Sequence, residues 1–307
     1  MTAASWLALV VAAACALGGA RMLGTARTEA VRRFLEPRGV RAGVAALLFF
    51  VILALAAPLV SAYGPAAQLD IVGLQSAPPS WRHLLGTDLL SRDVWARITF
   101  GARVSLGIGA LATAVSVGLG ALVGGVAGYF RGPADAVLMR LVDVGLAVPR
   151  IFLVLAVLAL GHPLTVAPLA LLIGCTGWFA VSRIVRSEVL SLRERVFVEG
   201  ARALGVRPWR ILARHVLPGT GAVVIVAAAL GVANAMLLEA GLSFLGVGVQ
   251  PPVPSWGNMI ADARDQLATA PWASLFPGLA ITAVVVALHA VADGLRGALD
   301  PRGTPSS

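Results

Sequence analysis

The side chains of this sequence that could carry out chemistry are few, and one missing residue type narrows the choice at once. The chain contains 24 basic residues, and every one of them is arginine. The phosphate-binding loop of nucleotide hydrolases requires a lysine whose ammonium group reaches the phosphates. The sequence therefore cannot contain that loop, and any ATP hydrolysis that the protein depends on must be performed by another chain.

Metal-ligating and nucleophilic residues also lack a recognisable spacing. The histidines at 162, 215 and 289 are far apart, and Cys15 and Cys175 lie inside apolar runs. Disulfide frameworks and metal sites each have recognisable cysteine or histidine spacings. An isolated cysteine in an apolar run usually acts as a small buried hydrophobe. We therefore predict no catalytic residue, no metal site and no cofactor.

Polar residues inside apolar runs are the remaining candidates. Glu239 follows Asn234 by five residues in one run, and Asp143 lies one turn from Arg140 in another. A carboxylate in a bilayer costs about 2.5–3.5 kcal/mol on insertion scales, so it faces a bundle interior or an aqueous cavity. We expect Glu239, Asn234 and Asp143 to line a polar pathway, with structural hydrogen bonding as the alternative. We also expect Asp143 to pair with Arg140.

The elements that position these residues are apolar helices. Of the 307 residues 58% are hydrophobic and 13% are charged, against about 25% charged in a soluble domain. The mean hydropathy is +0.88, and several uncharged runs approach the roughly 20 residues that span a bilayer. The sequence predicts an all-α, multi-pass membrane protein. The apolar runs lie at 3–20, 42–62, 105–130, 137–160, 164–182, 219–247 and 275–295.

The arginines predict the orientation of these runs, because short loops rich in arginine stay in the cytoplasm. If 21–41 is inside, 183–218 is also inside, whereas 63–104 and 248–274 are outside. Eighteen of the 24 arginines then lie on the cytoplasmic side. This bias accounts for the net charge of +9 without a nucleic-acid partner. 

The runs also suggest how the chain is divided. We predict an extra N-terminal helix and basic linker over 1–41, a six-helix transmembrane domain over 42–302 and a short tail over 303–307. Within the domain, Gly120, Gly124 and Gly128 recur every four residues, a spacing that favours close helix packing.

The insert 183–218 is the long cytoplasmic connection, and its residues predict two short helices. Apolar residues recur at spacings of three and four over 188–204, which predicts the first helix. Gly205 suits a left-handed helix end, and Pro208 suits the first turn of a second helix that runs to about Val216.

Three interpretations fit such a basic hairpin tethered between two membrane spans. The first is an amphipathic element that lies against anionic lipid head groups. The second is a DNA-binding helix-turn-helix, which the tether and the scarcity of base-reading side chains argue against. The third is a lever that docks on a cytoplasmic protein.

The third interpretation agrees with a family resemblance. Glu199-Gly200-Ala201, Gly205, nine further residues and then His215-Val216-Leu217-Pro218 resemble the motif of permease subunits of ATP-binding cassette importers. In that family this loop inserts into a cleft of the ATPase and transmits its closure. Gly200 stands where the motif has alanine, which loosens the first helix. The resemblance implies ATPase-coupling roles for Glu199, Gly200, Ala201, Gly205, Pro208, Arg210, Leu217 and Pro218.

Three further stretches narrow the resemblance. HLLGTDLLSRDVWARITFGARVSL at 83–106, LLEAGLSFLGVGVQPPVPSWGNMIADAR at 237–264 and ADGLRGALDPR at 292–302 resemble the second permease of dipeptide, oligopeptide and nickel importers. The resemblance covers about 32–302, and Ser91 stands where the family has glycine.

The resemblance implies a six-helix importer-permease bundle in the inner or plasma membrane that is not itself an enzyme. Its partners would be a second homologous permease, two cytoplasmic ATPase subunits, an external solute-binding protein and membrane lipid. We expect short peptides as cargo, with nickel or a metal chelate as the alternative. A membrane scaffold whose basic loop binds anionic lipid is the alternative from a different class.

The outer segments carry a separate pattern. Asp88 with Arg92 and Asp93 with Arg97 have the i,i+4 spacing of ion pairs on one short helix. This helix is either a solvated, self-paired element or a rigid part of the pathway mouth. The resemblance favours the latter and implies that 63–104 and 248–274 form a rim for the binding protein. The predicted rim residues are Gly86, Thr87, Asp88, Arg92, Asp93 and Trp256.

Overall fold

The described residues of the protein, 32–161 and 164–299 of a computed structural model, are predominantly helical. In chain order the helices are α1 Arg38–Val60, α2 Val94–Phe130, α3 Gly132–Ala147, α4 Arg150–Ala159, α5 Val166–Leu192, α6 Val196–Ala203, α7 Pro208–Ile211, α8 Leu217–Gly219, α9 Gly221–Phe244, α10 Trp256–Asp262 and α11 Trp272–Leu299. A π-helical segment, Leu212–Val216, joins α7 to α8, and a 3-10 turn, Arg264–Gln266, follows α10. The predicted N-terminal helix at 3–20 and the tail at 303–307 lie outside the described residues.

Five of the six predicted spans are single helices in this part of the chain. Helices α1, α2, α5, α9 and α11 are each long and apolar enough to cross a membrane, and the sixth apolar run forms the pair α3 and α4, which meet at an angle of 84°. The apolar run over 137–160 is therefore divided between two helices. The break falls at Val148 and Pro149, because proline lacks an N–H and disfavours helical geometry at the residue before it.

Helix α2 is the central element, and it packs closely along α5. A Cβ atom placed on Gly120 would lie 2.6 Å from Cβ of Val181, and one placed on Gly124 would lie 2.3 Å from the carbonyl oxygen of Ser182. At Gly128 the corresponding distance to the carbonyl oxygen of Arg186 is 2.9 Å. The predicted glycine ridge is confirmed, since only a residue without Cβ lets the two backbones approach this closely.

The 37 residues of α2 extend for about 55 Å, so its two ends define opposite ends of the bundle. The segments 63–93 and 248–271 lie together at the first end, which we call the rim end. The connection between α5 and α9 packs against Tyr129 at the other, which we call the hairpin end.

Candidate functional site

The insert between α5 and α9 folds as a helical hairpin, with one correction to its first helix. The sequence predicts a single helix over 188–204, whereas α5 ends at Leu192 and α6 begins at Val196. At the break, Arg193 turns back and its Nη1 donates to the carbonyl oxygen of Tyr129 at 2.6 Å. A tertiary contact with the end of α2 therefore accompanies the break in the local helical pattern.

The turn of the hairpin follows the sequence prediction. Gly205 has φ of +72°, its N–H donates to Arg202, and the N–H of Val206 donates to Ala201 at 3.1 Å. These two bonds form the Schellman arrangement that ends a helix at a left-handed residue. Pro208 then occupies the first turn of α7, as predicted.

Apolar side chains attach the hairpin to the bundle. Val198 of α6 is fully buried, as are Ile211 and Val216 from the second arm. They share a core cluster with Tyr129 at the end of α2 and Val189 on α5. The hairpin is therefore packed directly against the two helices that form the centre of the bundle.

The opposite surface of the hairpin has no partner within the described chain. Val196 and Leu204 are exposed by 83% and 85%, and Trp209 is more than half exposed although its ring lies 4.7 Å from that of Phe130. The carboxylate of Glu199 forms neither a hydrogen bond nor an ion pair with any described residue. An open concavity of about 770 Å³ lies beside the turn, and it is lined by Leu204, Gly205, Val206, Arg207, Arg210, Arg214 and His215.

The other predicted coupling residues divide between this surface and the attachment. Gly200, Pro208, Arg210 and Pro218 are exposed, whereas Ala201 and Leu217 are half-buried. The Leu217 side chain packs directly on Gly125 of α2. A Cβ atom on Gly125 would lie 2.7 Å from Leu217 Cδ2, so a larger residue there would collide with it. The motif therefore contributes both contact surface and anchorage.

At the rim end, a buried ionic network joins the two outer segments. Asp88 Oδ2 accepts hydrogen bonds from Nε of Arg92 at 2.7 Å and from Nη1 of Arg97 at 2.5 Å. Both arginines also donate to Oδ2 of Asp262, at 2.9 and 3.0 Å. Trp272 Nε1 donates to the carbonyl oxygen of Thr87 at 3.1 Å. These contacts fasten the segment before α2 to the segment after α9.

Two predictions for this region are wrong. No helix carries Asp88 and Asp93, and Arg97 pairs with Asp88 and Asp262 instead of Asp93. Asp93 is the N-cap of α2, where it accepts from the N–H of Ala96 at 2.8 Å. A carboxylate is the favoured type of residue at that position, because it accepts from otherwise unpaired N–H groups.

The predicted rim residues are buried in the interior of this end instead of lying on its surface. Trp256 is the clearest case. Its side chain is fully buried, its Nε1 donates to the carbonyl oxygen of Ile98 at 3.0 Å, and its ring meets that of Phe50 edge-on at 5.4 Å. Gly86, Thr87, Asp88, Arg92 and Asp93 are also buried. They shape the rim from beneath, and neighbouring exposed residues such as Trp81 form its surface.

The three predicted pathway residues lie in different environments. Glu239 is 1% exposed, and its Oε1 accepts hydrogen bonds from Ser243 at 2.7 Å and from Ser255 at 2.8 Å. Asn234 is exposed on the side of α9. Asp143 is half exposed and pairs with Arg183 on α5, so its predicted pairing with Arg140 is wrong. The structure does not bring the three residues together.

Several residues that organise these sites were missed because their partners are distant in sequence. Asp262 joins the rim network across 170 residues, and Asp135 binds Arg186 through both carboxylate oxygens at 2.6 and 2.7 Å. Arg150, inside a predicted span, donates to the carbonyl oxygen of Ile173. A charged residue within an apolar run was the one available signal for Arg150.

The bundle of apolar spans defines a polytopic helical membrane protein, and comparison with known proteins specifies its family. Residues 117–304 match the family described as binding-protein-dependent transport system inner membrane component. The chain is 41% identical over 276 residues to the oligopeptide transport system permease protein OppC of Mycobacterium tuberculosis, covering 90% of this chain and 94% of the relative. It is 39% identical over 275 residues to the dipeptide transport system permease protein DppC of Alkalihalophilus pseudofirmus, covering 89% of each.

The chain belongs to the family of binding-protein-dependent transport system inner membrane components. It is a multi-pass permease subunit of an ATP-binding cassette importer in the cell membrane. Such a permease works together with an ATPase and a substrate-binding protein, as the family description and the relatives indicate.

Proposed function

We propose that this permease forms half of a pathway for short peptides and that its hairpin transmits ATPase closure to the bundle. The observation that carries the coupling role is the two-sided hairpin. One side is buried against α2 and α5 through Val198, Ile211 and Val216, and the other exposes Glu199 and Leu204 without a partner. An element of this kind receives force on one side and delivers it on the other.

Unpaired charge and an open concavity support an ATPase as the occupant of the exposed side. The arginines at 202, 207, 210 and 214 form no ion pair among the described residues, and the last three line an open concavity beside Gly205. Exposed apolar anchors amid unpaired charges resemble the hot spots of protein interfaces more than a solvated loop. We infer that two ATPase subunits bind the importer, one on this hairpin and one on a second, similar permease.

The rim end supports docking of the external binding protein. The ionic network fixes 63–93 to 248–271, which holds an exposed surface that includes Trp81 in a defined shape. Rigid presentation lowers the entropic cost of association. Peptide cargo is supported by the relatives, whose names describe transport of oligopeptides and dipeptides.

The proposal is tested in cells that lack only this gene, complemented with wild-type protein or with Glu199→Arg. Wild-type protein should restore uptake of labelled di- and oligopeptides, and the variant should reach the membrane without restoring it. Co-purification of the ATPase with wild type but not with the variant would locate the defect at the hairpin. Restoration of nickel uptake in place of peptide uptake would refute the peptide assignment and keep the importer class.

A further inference from the structure

Arg150 is a charged residue within the membrane-spanning bundle that belongs neither to the hairpin nor to the rim network. It is the first residue of α4, directly after the break at Val148 and Pro149. The 16 residues of α3 place this break roughly 24 Å from the hairpin end. Ile173, which accepts a hydrogen bond from Arg150, lies roughly 10 Å along α5 from its rim end. The guanidinium therefore lies inside the bundle and away from both helix ends.

Defined hydrogen bonds hold the guanidinium in place, but no described carboxylate balances its charge. Its Nη2 donates to the carbonyl oxygen of Ile173, and its Nε lies 3.3 Å from Oγ1 of Thr176. Gly177 provides the space, since a Cβ there would lie 2.7 Å from Nη2. Arg150 forms no ion pair with any residue that the structure describes.

The two acids of α3, the helix before the break, are already engaged elsewhere. Asp143 and Asp135, both on α3, pair with Arg183 and Arg186. The third nitrogen of the Arg150 guanidinium, Nη1, has no acceptor in the described chain, and the residue is only partly buried. One donor of a fixed cation therefore remains open.

The helix break directly before Arg150 is open at the surface of the chain. Val148 is exposed by 39%, and Pro149 is also exposed. Irregular backbone at membrane depth is tolerated only where protein covers it or where it lines a water-filled cavity. The backbone at the break therefore meets water or the second permease and does not meet lipid.

We propose that Arg150 is a binding residue for the carboxylate of the solute as it passes the break. A carboxylate accepts strong, charge-assisted hydrogen bonds from a guanidinium nitrogen, and the N-terminus of α4 adds a favourable dipole. Bent or discontinuous helices place such ends at anionic groups of transported solutes. This inference rests on the proposed function, because a peptide with a free C-terminus supplies the carboxylate.

The test uses the assembled importer in proteoliposomes, with Arg150→Lys and Arg150→Gln as matched variants. Glutamine can still donate to Ile173 but has no charge, whereas lysine keeps the charge. Uptake is measured for a tripeptide with a free C-terminus and for a C-terminal amide that wild type also imports. Each variant is compared with wild type on the same peptide, so that selection by the binding protein cancels.

Arg150→Gln should reduce uptake of the free-acid peptide by about tenfold or more, the factor for loss of a charged hydrogen bond, and leave the amide near wild type. Arg150→Lys should retain most of the uptake of both. Equal loss of both peptides in Arg150→Gln, or no loss of either, would overturn the inference while the peptide function stands. If wild type imported neither peptide, both the inference and the proposed peptide function would be overturned.

A second measurement separates charge from folding. Arg150→Cys, with Cys15 and Cys175 changed to serine, is treated with aminoethyl methanethiosulfonate, which attaches a positive group, or with neutral methyl methanethiosulfonate. The charged reagent should restore uptake of the free-acid peptide and the neutral one should not. Failure of the reagents to reach the residue, or equal restoration by both, would contradict a water-accessible carboxylate site.

Discussion

Nε of Arg103 donates a hydrogen bond of 2.6 Å to the carbonyl oxygen of Ala54. Ala54 lies four residues before Pro58, a proline within α1. Proline has no N–H, so it leaves the carbonyl four residues earlier without its helical donor. Arg103 on α2 thus supplies the bond that α1 cannot make for itself. An unpaired carbonyl in a bilayer is costly, so this contact links α1 to α2.

We predict that Arg103→Leu lowers the free energy of unfolding by about 1–3 kcal/mol, the penalty for an unsatisfied buried acceptor. In a Pro58→Ala background the loss should be clearly smaller, because the restored N–H can bond to Ala54. Thermal unfolding of the four proteins in one detergent provides the double-mutant cycle. Equal losses in both backgrounds would show that Arg103 does not act through the proline.

Gly205 and Gly200 form a matched pair within the hairpin. Gly205→Val should abolish transport, since a β-branched residue strongly resists the φ of +72° found there. Gly200→Ala should preserve transport and stabilise α6 by about 0.5–1 kcal/mol, because nothing lies within 4 Å of a Cβ at that position. Uptake and ATPase co-purification are measured for both at equal membrane levels. Normal uptake by Gly205→Val would remove the turn from the coupling mechanism.

A second matched pair tests the packing of α2 against α5. A Cβ on Gly124 would lie 2.3 Å from the carbonyl oxygen of Ser182, whereas nothing lies within 4 Å of a Cβ on Gly118. Gly124→Ala should therefore destabilise the bundle by about 1–3 kcal/mol through overpacking, and Gly118→Ala should leave its melting temperature unchanged or raised. Similar melting temperatures for the two variants would contradict the close approach of the helices.

Ser91 adopts a conformation that favours glycine. Its φ is +56°, and its hydroxyl is buried without a hydrogen-bond partner among the described residues. A non-glycine residue in the left-handed region costs about 1–3 kcal/mol, part of which the greater freedom of unfolded glycine offsets. We predict that Ser91→Gly raises the free energy of unfolding by about 1 kcal/mol, measured by thermal unfolding. An unchanged or lower value would show that the strain is relieved elsewhere.

The features that the sequence predicts well depend on neighbouring residues. Gly205 and Pro208 determine the hairpin turn through backbone geometry alone, and the glycine ridge of α2 depends only on a four-residue spacing. The bend at Pro149 also has a local signal, the proline itself. The run was not divided there because the residues on both sides are apolar. Apolar composition reports membrane depth but does not report helix continuity.

Features that depend on tertiary partners were not predicted from spacing. Arg97 stands four residues after Asp93, yet Asp93 caps α2 and Arg97 binds Asp88 and Asp262. The capping role supplies an acceptor for N–H groups that have no acceptor within the helix, so it competes successfully with a local ion pair. Trp256 looked like a surface anchor, and its burial depends on Phe50 and Ile98, which lie far away in sequence.

The orientation of the bundle can be tested by cysteine labelling in a variant with Cys15 and Cys175 changed to serine. Ser80→Cys lies in an exposed part of the rim end, so an impermeant maleimide added outside intact cells should label it rapidly. Ser255→Cys is the control from the partner segment, since Ser255 is fully buried and its hydroxyl bonds to Glu239. It should react only after denaturation. Labelling of Ser80→Cys only after the membrane is opened would place the rim end in the cytoplasm and reverse the topology.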